Sequence, residues 1–343
     1  MKRFCMSLIV GIFFVIATLG SAHTSDKVYT LKIADSFPVK HPVNKIITFF
    51  MEEAKKQSDG KLEFNYYPAQ QLGKQTDLLK LCQKGLVDVV YVGPSFFPGQ
   101  FGLNTVTVLP FYSSAAEGTK IYNELYKNSA EIRKEWESNG VTPLLMMTAS
   151  QYNVGTNDKK VTQPSDMKGL RLKTAGEIFD SIVKRYGAEP ISMSFTDTYE
   201  AIQRKIVDGA IQALASAKGY RLYEVEKYHT YGLRFGGYPA AYAMNMKAFN
   251  KLPEDIQNVL FKAGDETEEF GAKLWDNMDA SLIKVFQEKG MEIYQVPPDK
   301  KTEWFAPLSG IEEEWIASLE KRGQVAARPV FEQFKKICEE IAE

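Results

Sequence analysis

The sequence predicts an α/β protein of two lobes, each a mixed sheet flanked by helices, and three observations carry that expectation. The stretch Lys168–Ala213 reads strand, helix, strand, helix, strand. The stretch from Tyr29 to Val92 repeats the same alternation. Alternating β and α with short connections implies parallel strands. Finally, the chain has 343 residues, more than a single hydrophobic core usually holds.

In chain order, Lys2 and Arg3 precede an almost wholly apolar run from Leu8 to Leu19, and Gly20-Ser21-Ala22 supplies small residues. This pattern predicts an export signal cleaved after Ala22. The run falls short of the ~20 residues of a membrane-spanning helix. Tyr29–Ala34 is the first expected strand. An amphipathic helix follows with Ile46, Ile47, Phe50 and Ala54 inward. Leu62–Tyr67 returns as a strand, a helix runs through Leu78, Leu79 and Cys82, and Val87–Val92 forms a buried strand closed by Gly93-Pro94. Thr119–Asn139 reads as one helix and Val141–Met147 as the next strand. Gln151–Gly155 is then expected to cross into the second lobe.

In the central stretch, Leu170–Lys173 alternates apolar with basic, and Ile178, Phe179, Ile182, Val183 and Tyr186 recur at helical spacing. Gly187 stops that helix. Pro190–Met193 is a short strand, Ser194 or Thr196 caps the next helix, and Val207–Ile211 begins a third strand. Tyr242–Met246 is expected back in the first lobe. Leu252-Pro253-Glu254-Asp255 opens a helix with proline and acids in its first turn. No further proline interrupts it before Lys289, so it is long enough to reach across both lobes. A strand over Met291–Val296 and helices around Trp304–Leu319 and Pro329–Ile341 complete the chain. The expected division is 1–22 signal, 23–150 with about 239–270 as lobe I, and 151–238 with about 271–343 as lobe II.

Lysine plus arginine number 42 against 43 aspartates and glutamates, so nothing draws the chain to nucleic acid or to an anionic membrane. The three histidines, His23, His41 and His229, have no metal-ligand partner at helical or turn spacing. No Gly-x-Ser-x-Gly elbow, P-loop or Gly-x-Gly-x-x-Gly occurs. The acidic run Glu312-Glu313-Glu314 reads as a solvated helix face. The sequence therefore points to a binder without cofactor or metal. After the expected cleavage Cys82 and Cys338 remain, and they are expected as separate thiols.

Several motifs carry a family resemblance. They are Gly169–Lys173, Gly187-Ala188-Glu189-Pro190, Met193-Ser194-Phe195, Tyr199–Gln203 and Val207-Asp208-Gly209. Nearer the start come His41-Pro42, Ser58-Asp59-Gly60, Tyr67-Pro68-Ala69-Gln70-Gln71-Leu72-Gly73 and Leu109-Pro110-Phe111. In this order they resemble the solute-binding subunits of tripartite ATP-independent periplasmic (TRAP) transporters, of the dicarboxylate-binding DctP type. The resemblance implies a two-lobed, type II-like periplasmic solute-binding protein with a long helix spanning both lobes. It also implies a cleft for a small solute, such as an organic acid, sulfonate, phosphate or amino-acid-like molecule. The chain is expected to be a monomer that docks on the membrane permease. An exported ligand sensor, or an exported enzyme on the same fold, is the alternative.

Family members grip a carboxylate with an arginine where this chain has Lys173. A second family arginine falls near Asn153, and Gln212 stands in the altered segment after Asp208-Gly209. Arginine offers a two-pronged fork and lysine a single mobile charge, so the clamp is changed at each position. Either Lys173, Asn153 and Gln212 hold an anion or zwitterion, which the surviving charge favours, or Asp35 or Glu177 meets an amine. Strand ends and family contacts add Ser36, Tyr91, Ser95, Phe195 and Tyr238 as candidates. Core packing is the competing reading for Phe195 and Tyr91, and a surface ion pair for Lys173. An aromatic solute body would find partners among Tyr66, Tyr67, Phe96 and Phe97.

Overall fold

The structure is a computed structural model that describes residues 27–342. The expected export segment and its cleavage point lie outside the described residues. The first lobe opens with β1 (Tyr29–Ala34), α1 (Val43–Gln57), β2 (Leu62–Tyr67), α2 (Gln75–Gln83) and β3 (Val89–Val92). It continues through α3 (Ala115–Asn128), α4 (Ala130–Ser138) and β4 (Val141–Thr148). The second lobe holds β5 (Asn153–Thr156), β6 (Arg171–Thr174), α5 (Glu177–Arg185) and β7 (Glu189–Ser192). Next come α6 (Phe195–Gln203), β8 (Gly209–Gln212), α7 (Leu214–Gly219) and β9 (Tyr228–Tyr231). The chain closes with β10 (Pro239–Asn245), α8 (Met246–Phe249), α9 (Glu254–Glu288), β11 (Glu292–Gln295), α10 (Lys301–Phe305), α11 (Ile311–Lys321) and α12 (Ala327–Ala342).

Two mixed sheets result. The first has the order β2-β1-β3-β10-β4, with β1 parallel to both its neighbours and β10 antiparallel to β3 and β4. The second runs β11-β9-β5-β8-β6-β7, with β6 parallel to β7 and β8 and β5 antiparallel to β8 and β9. β10 returns to the first sheet as the sequence indicates, and β5 opens the second-lobe side of the crossing.

The two crossing segments are tied to each other. Ala149 N donates to Tyr238 O at 3.0 Å and Tyr152 N to Gly236 O at 2.9 Å. Paired connections of this kind bend without loosening either lobe. The third link is α9, whose 35 residues pack first on α1, α3 and β4 and then on α7 and β11. Its approach to β4 is close because Gly264 has no side chain, and a Cβ there would overlap the Leu144 carbonyl. Glu268, one turn on, accepts from Met146 N at 2.6 Å and from Asn123 Nδ2 at 2.8 Å.

Two expectations need adjusting. The single helix expected over Thr119–Asn139 is two, because Ser129 leaves helical geometry and its hydroxyl caps α4 by accepting from Ile132 N. The C-terminal helices also divide between the lobes. α11 lies on α5, where Arg185 pairs with Glu314 at 3.1 Å. α12 instead returns to α3 of the first lobe. Its apolar stripe meets Phe111 there, with the Phe331 and Phe334 rings centred 5.5 and 5.8 Å away. Cys82 and Cys338 are separate, buried thiols.

Candidate functional site

The sheets' ends and the crossings meet around a narrow cavity between the lobes. From the first lobe come Ser36, Phe37 and His41 after β1, Gln75 at the start of α2, Tyr91 of β3 and Phe96 beyond it. The second lobe supplies Ser194 and Phe195 at the start of α6, and Ser216 and Tyr220 around α7. Tyr152 and Tyr238 enter from the two crossings, and Trp275 from α9.

The rings are ordered by mutual contact. Phe37 stacks on His41 at 4.5 Å and meets Tyr91 edge-on at 4.7 Å. Phe195 stacks with Tyr220 at 5.4 Å, and Tyr152 lies parallel to Tyr238 at 6.2 Å. The lobes touch where the His41 ring lies 5.1 Å from Tyr220. Polar groups are interspersed among the rings. Ser36 Oγ donates to Gln75 Oε1 at 2.6 Å. His41 accepts from Val43 N at 3.2 Å, and burial holds its imidazole down to about 3, hence neutral. Tyr238 OH and His41 Nε2 are buried without a hydrogen-bond partner.

Lys173, at the end of β6, is wholly buried. Its ammonium lies 2.8 Å from the Phe195 ring centroid and has no hydrogen-bond partner. Burial alone pushes its pKa well below the ordinary lysine value. Lys173 does not itself border the cavity; it meets that space through Phe195. A cation resting on an aromatic face is partly compensated, and a desolvated ammonium with no counter-charge gains most from an incoming anion.

Ser36, Tyr91, Phe195 and Tyr238 thus line this cavity. Ser95 and Glu177 line a neighbouring inter-lobe cavity with Thr105 and Trp315. There Glu177 pairs with Arg322 at 2.9 Å, whereas Ser95 Oγ is unpartnered. Asn153 sits on the hinge side, its Oδ1 accepting from Gly232 N and Leu233 N at 2.8 and 2.9 Å. Gln212 Nε2 donates to both carboxylate oxygens of Glu226 at 2.8 and 2.9 Å. Asp35 accepts from Tyr66 OH at 2.6 Å, Tyr242 OH at 2.7 Å and Phe37 N at 3.0 Å. Burial nevertheless lifts its carboxyl to about 6.

Tyr152, Tyr220, Trp275 and His41 are wall residues that the sequence reading did not single out. Tyr152 had a signal, since it lies inside the crossing segment. Trp275 had none, because on a long amphipathic helix a tryptophan reads as core. Among the described residues, no group of three or more His, Cys, Asp or Glu is placed to hold a metal ion.

Two hinged lobes closed on a ring-lined cavity define a binding protein for a small solute. The chain belongs to the bacterial extracellular solute-binding protein family 7, whose DctP model matches residues 33–318. Among its relatives, a solute-binding protein of Albidiferax ferrireducens is 26% identical over 296 residues, 84% of this chain and 85% of that protein. The C4-dicarboxylate-binding periplasmic protein DctP of Rhodobacter capsulatus is 24% identical, covering 80% of this chain and 82% of its own. A TRAP solute-binding protein of Rhodoferax ferrireducens, solved with copurified benzoate, superposes with TM-score 0.85 at 21% identity, covering 92% of this chain and 99% of that one. A marine-metagenome TRAP protein specific for aromatic acid ligands superposes at 0.84 and 21% identity, covering 92% and 100%. Among the described residues, no helix is long and apolar enough to cross a membrane.

Proposed function

We propose that this protein captures a small aromatic carboxylate in the periplasm and hands it unchanged to the membrane subunits of a TRAP transporter. The observation that carries this reading is the wall of the inter-lobe cavity. Rings from both lobes, Phe37, Tyr91, Phe96, Tyr152, Phe195, Tyr220, Tyr238 and Trp275, enclose it, and the unpaired Lys173 ammonium rests against one of them. Aromatic walls suit a flat apolar body, and a buried cation suits a single negative charge. A dicarboxylate would bring a second charge into this cavity, and none of the residues that border it is a lysine or arginine. The benzoate and aromatic-acid complexes of the structural neighbours support the same solute class, although others hold sugar acids such as galacturonate.

Delivery without chemistry accords with the solute-binding family to which the chain belongs. Closure is driven by contacts made only when the lobes meet, because a solute bound equally by open and closed forms shifts nothing. The test is calorimetry of the mature protein with benzoate and with succinate, together with mass spectrometry of whatever copurifies. Benzoate is expected to bind more tightly. Lys173→Ala is expected to weaken it at least tenfold, roughly 1.4 kcal/mol. Preference for succinate, or unchanged benzoate affinity in Lys173→Ala, overturns the reading.

A further inference from the structure

One face of the second sheet carries a buried polar layer. Lys173 and Gln212 are fully buried, and His229 and Glu226 are 1% and 2% exposed. Residues paired directly across strands present their side chains to the same face. Lys173 pairs with Ala210, Ala210 with Gly155, and Gly155 with His229. The two middle positions of this row therefore hold a methyl group and a bare backbone. Glu226 occupies the space that results, for a Cβ on Gly155 would overlap its carboxylate. Gln212, two residues beyond Ala210 and so on the same face, holds both of its oxygens.

Neighbouring strands lie about 4.8 Å apart, so Gly155 Cα is on the order of 10 Å from Lys173 Cα. An extended lysine spans on the order of 6 Å from Cα to Nζ. Turned along the row, the ammonium would approach the Glu226 carboxylate past a methyl group at Ala210 and the bare backbone of Gly155. Turned the other way, it lies on Phe195, as described above. These are two positions for one cation, with a carboxylate at the first and the solute cavity behind the second.

We propose that Glu226 is the resting counter-ion of Lys173: without solute the ammonium lies on Glu226, and an incoming acid displaces Glu226 as its partner. This rests on the reading of Lys173 as the solute's cation. The exchange is balanced by a proton that passes from solvent to the released Glu226. With the ammonium away on Phe195, burial pushes the Glu226 carboxyl up to about 8 despite the hydrogen bonds from Gln212. Other buried titratable groups on β9, beside α7 and on α9 do not replace it. The His229 imidazole is held down to about 3 and stays neutral. The Tyr220 hydroxyl is pushed well up. Burial raises Asp279 to about 7 against the hydrogen bond from Tyr231 OH at 3.3 Å.

Glu226→Gln tests the exchange, because an amide reproduces the protonated carboxyl of the loaded state and removes the rival anion of the empty one. Benzoate calorimetry at pH 7 is expected to show at least tenfold tighter binding in Glu226→Gln than in the natural protein. Unchanged or weaker binding in Glu226→Gln, with Lys173→Ala still impaired, overturns the counter-ion role and leaves the solute reading standing. Full affinity in Lys173→Ala overturns both. A crystal structure of the solute-free natural protein provides an independent measurement should Glu226→Gln fold poorly. Lys173 Nζ is expected within 4 Å of a Glu226 oxygen, and an ammonium still on Phe195 in those crystals refutes the proposal.

Discussion

Tyr238 shows how a single side chain is held ready at the cavity. Its hydroxyl is buried without a partner, and it fits only because Gly93, opposite, has no side chain to meet it. An unsatisfied buried hydroxyl is a standing cost of about 1–3 kcal/mol, recovered when something accepts from it. Removing it therefore separates stability from binding. Tyr238→Phe is expected to leave unfolding by urea unchanged or slightly more costly, and to weaken benzoate binding up to about tenfold. Equal losses in both measurements mean that the hydroxyl serves the fold and not the solute. Asp35 and Asn153 are the opposite case. Asp35 was a candidate as the partner of an amine and Asn153 from its place near a family arginine, and each has its acceptor oxygens committed to groups of the protein itself.

Among the elements, α9 carries the most weight, and its contact with β4 contains an ionisable group. Glu268 is lifted to about 8, chiefly by burial, although Met146 N and Asn123 Nδ2 both donate to it. A carboxyl whose pKa is raised on folding contributes its full stability below its unfolded value, near 4.5. That contribution is lost as pH rises through about 8. Urea unfolding is thus expected to become easier between pH 5 and pH 9, and Glu268→Gln to flatten that slope. A slope unchanged in Glu268→Gln removes Glu268 as its source. The elements themselves were largely legible in the sequence. α9 announced itself by its proline-and-acid start and uninterrupted apolar spacing, and β6 to β8 by alternation and glycine stops. The break at Ser129 was hidden because the apolar positions on both sides, Ile121, Leu125, Ile132 and Trp136, keep helical spacing through it. The candidate site was legible in part, through positions such as Phe195 and Tyr238, which border the cavity. Glu226 was not, because within Glu224-Val225-Glu226-Lys227 an acid reads as solvent-facing. Only the cross-strand register, with Gly155 beneath it, brings it inside.

At the scale of the whole molecule, function depends on the two lobes reaching the closed arrangement. The first lobe contributes His41, ahead of α1, and the second contributes Gly219, at the end of α7. They meet so closely that a Cβ on Gly219 would overlap the His41 ring. Gly219 has an ordinary negative φ, so alanine there meets no backbone strain, and the obstruction exists only where the lobes touch. Ring and backbone on facing lobes have little freedom to give way, because His41 is itself stacked on Phe37 and tied to Val43 N. Gly219→Ala should therefore act on the open–closed equilibrium rather than on either lobe. An obstruction worth about 1–3 kcal/mol in the closed form alone weakens benzoate binding by roughly five- to a hundredfold, while unfolding of the solute-free protein stays nearly unchanged. In small-angle scattering the natural protein should contract on adding saturating benzoate, whereas Gly219→Ala should contract less at the same benzoate concentration. Full contraction together with natural affinity would mean that the contact between His41 and Gly219 plays no part in closure.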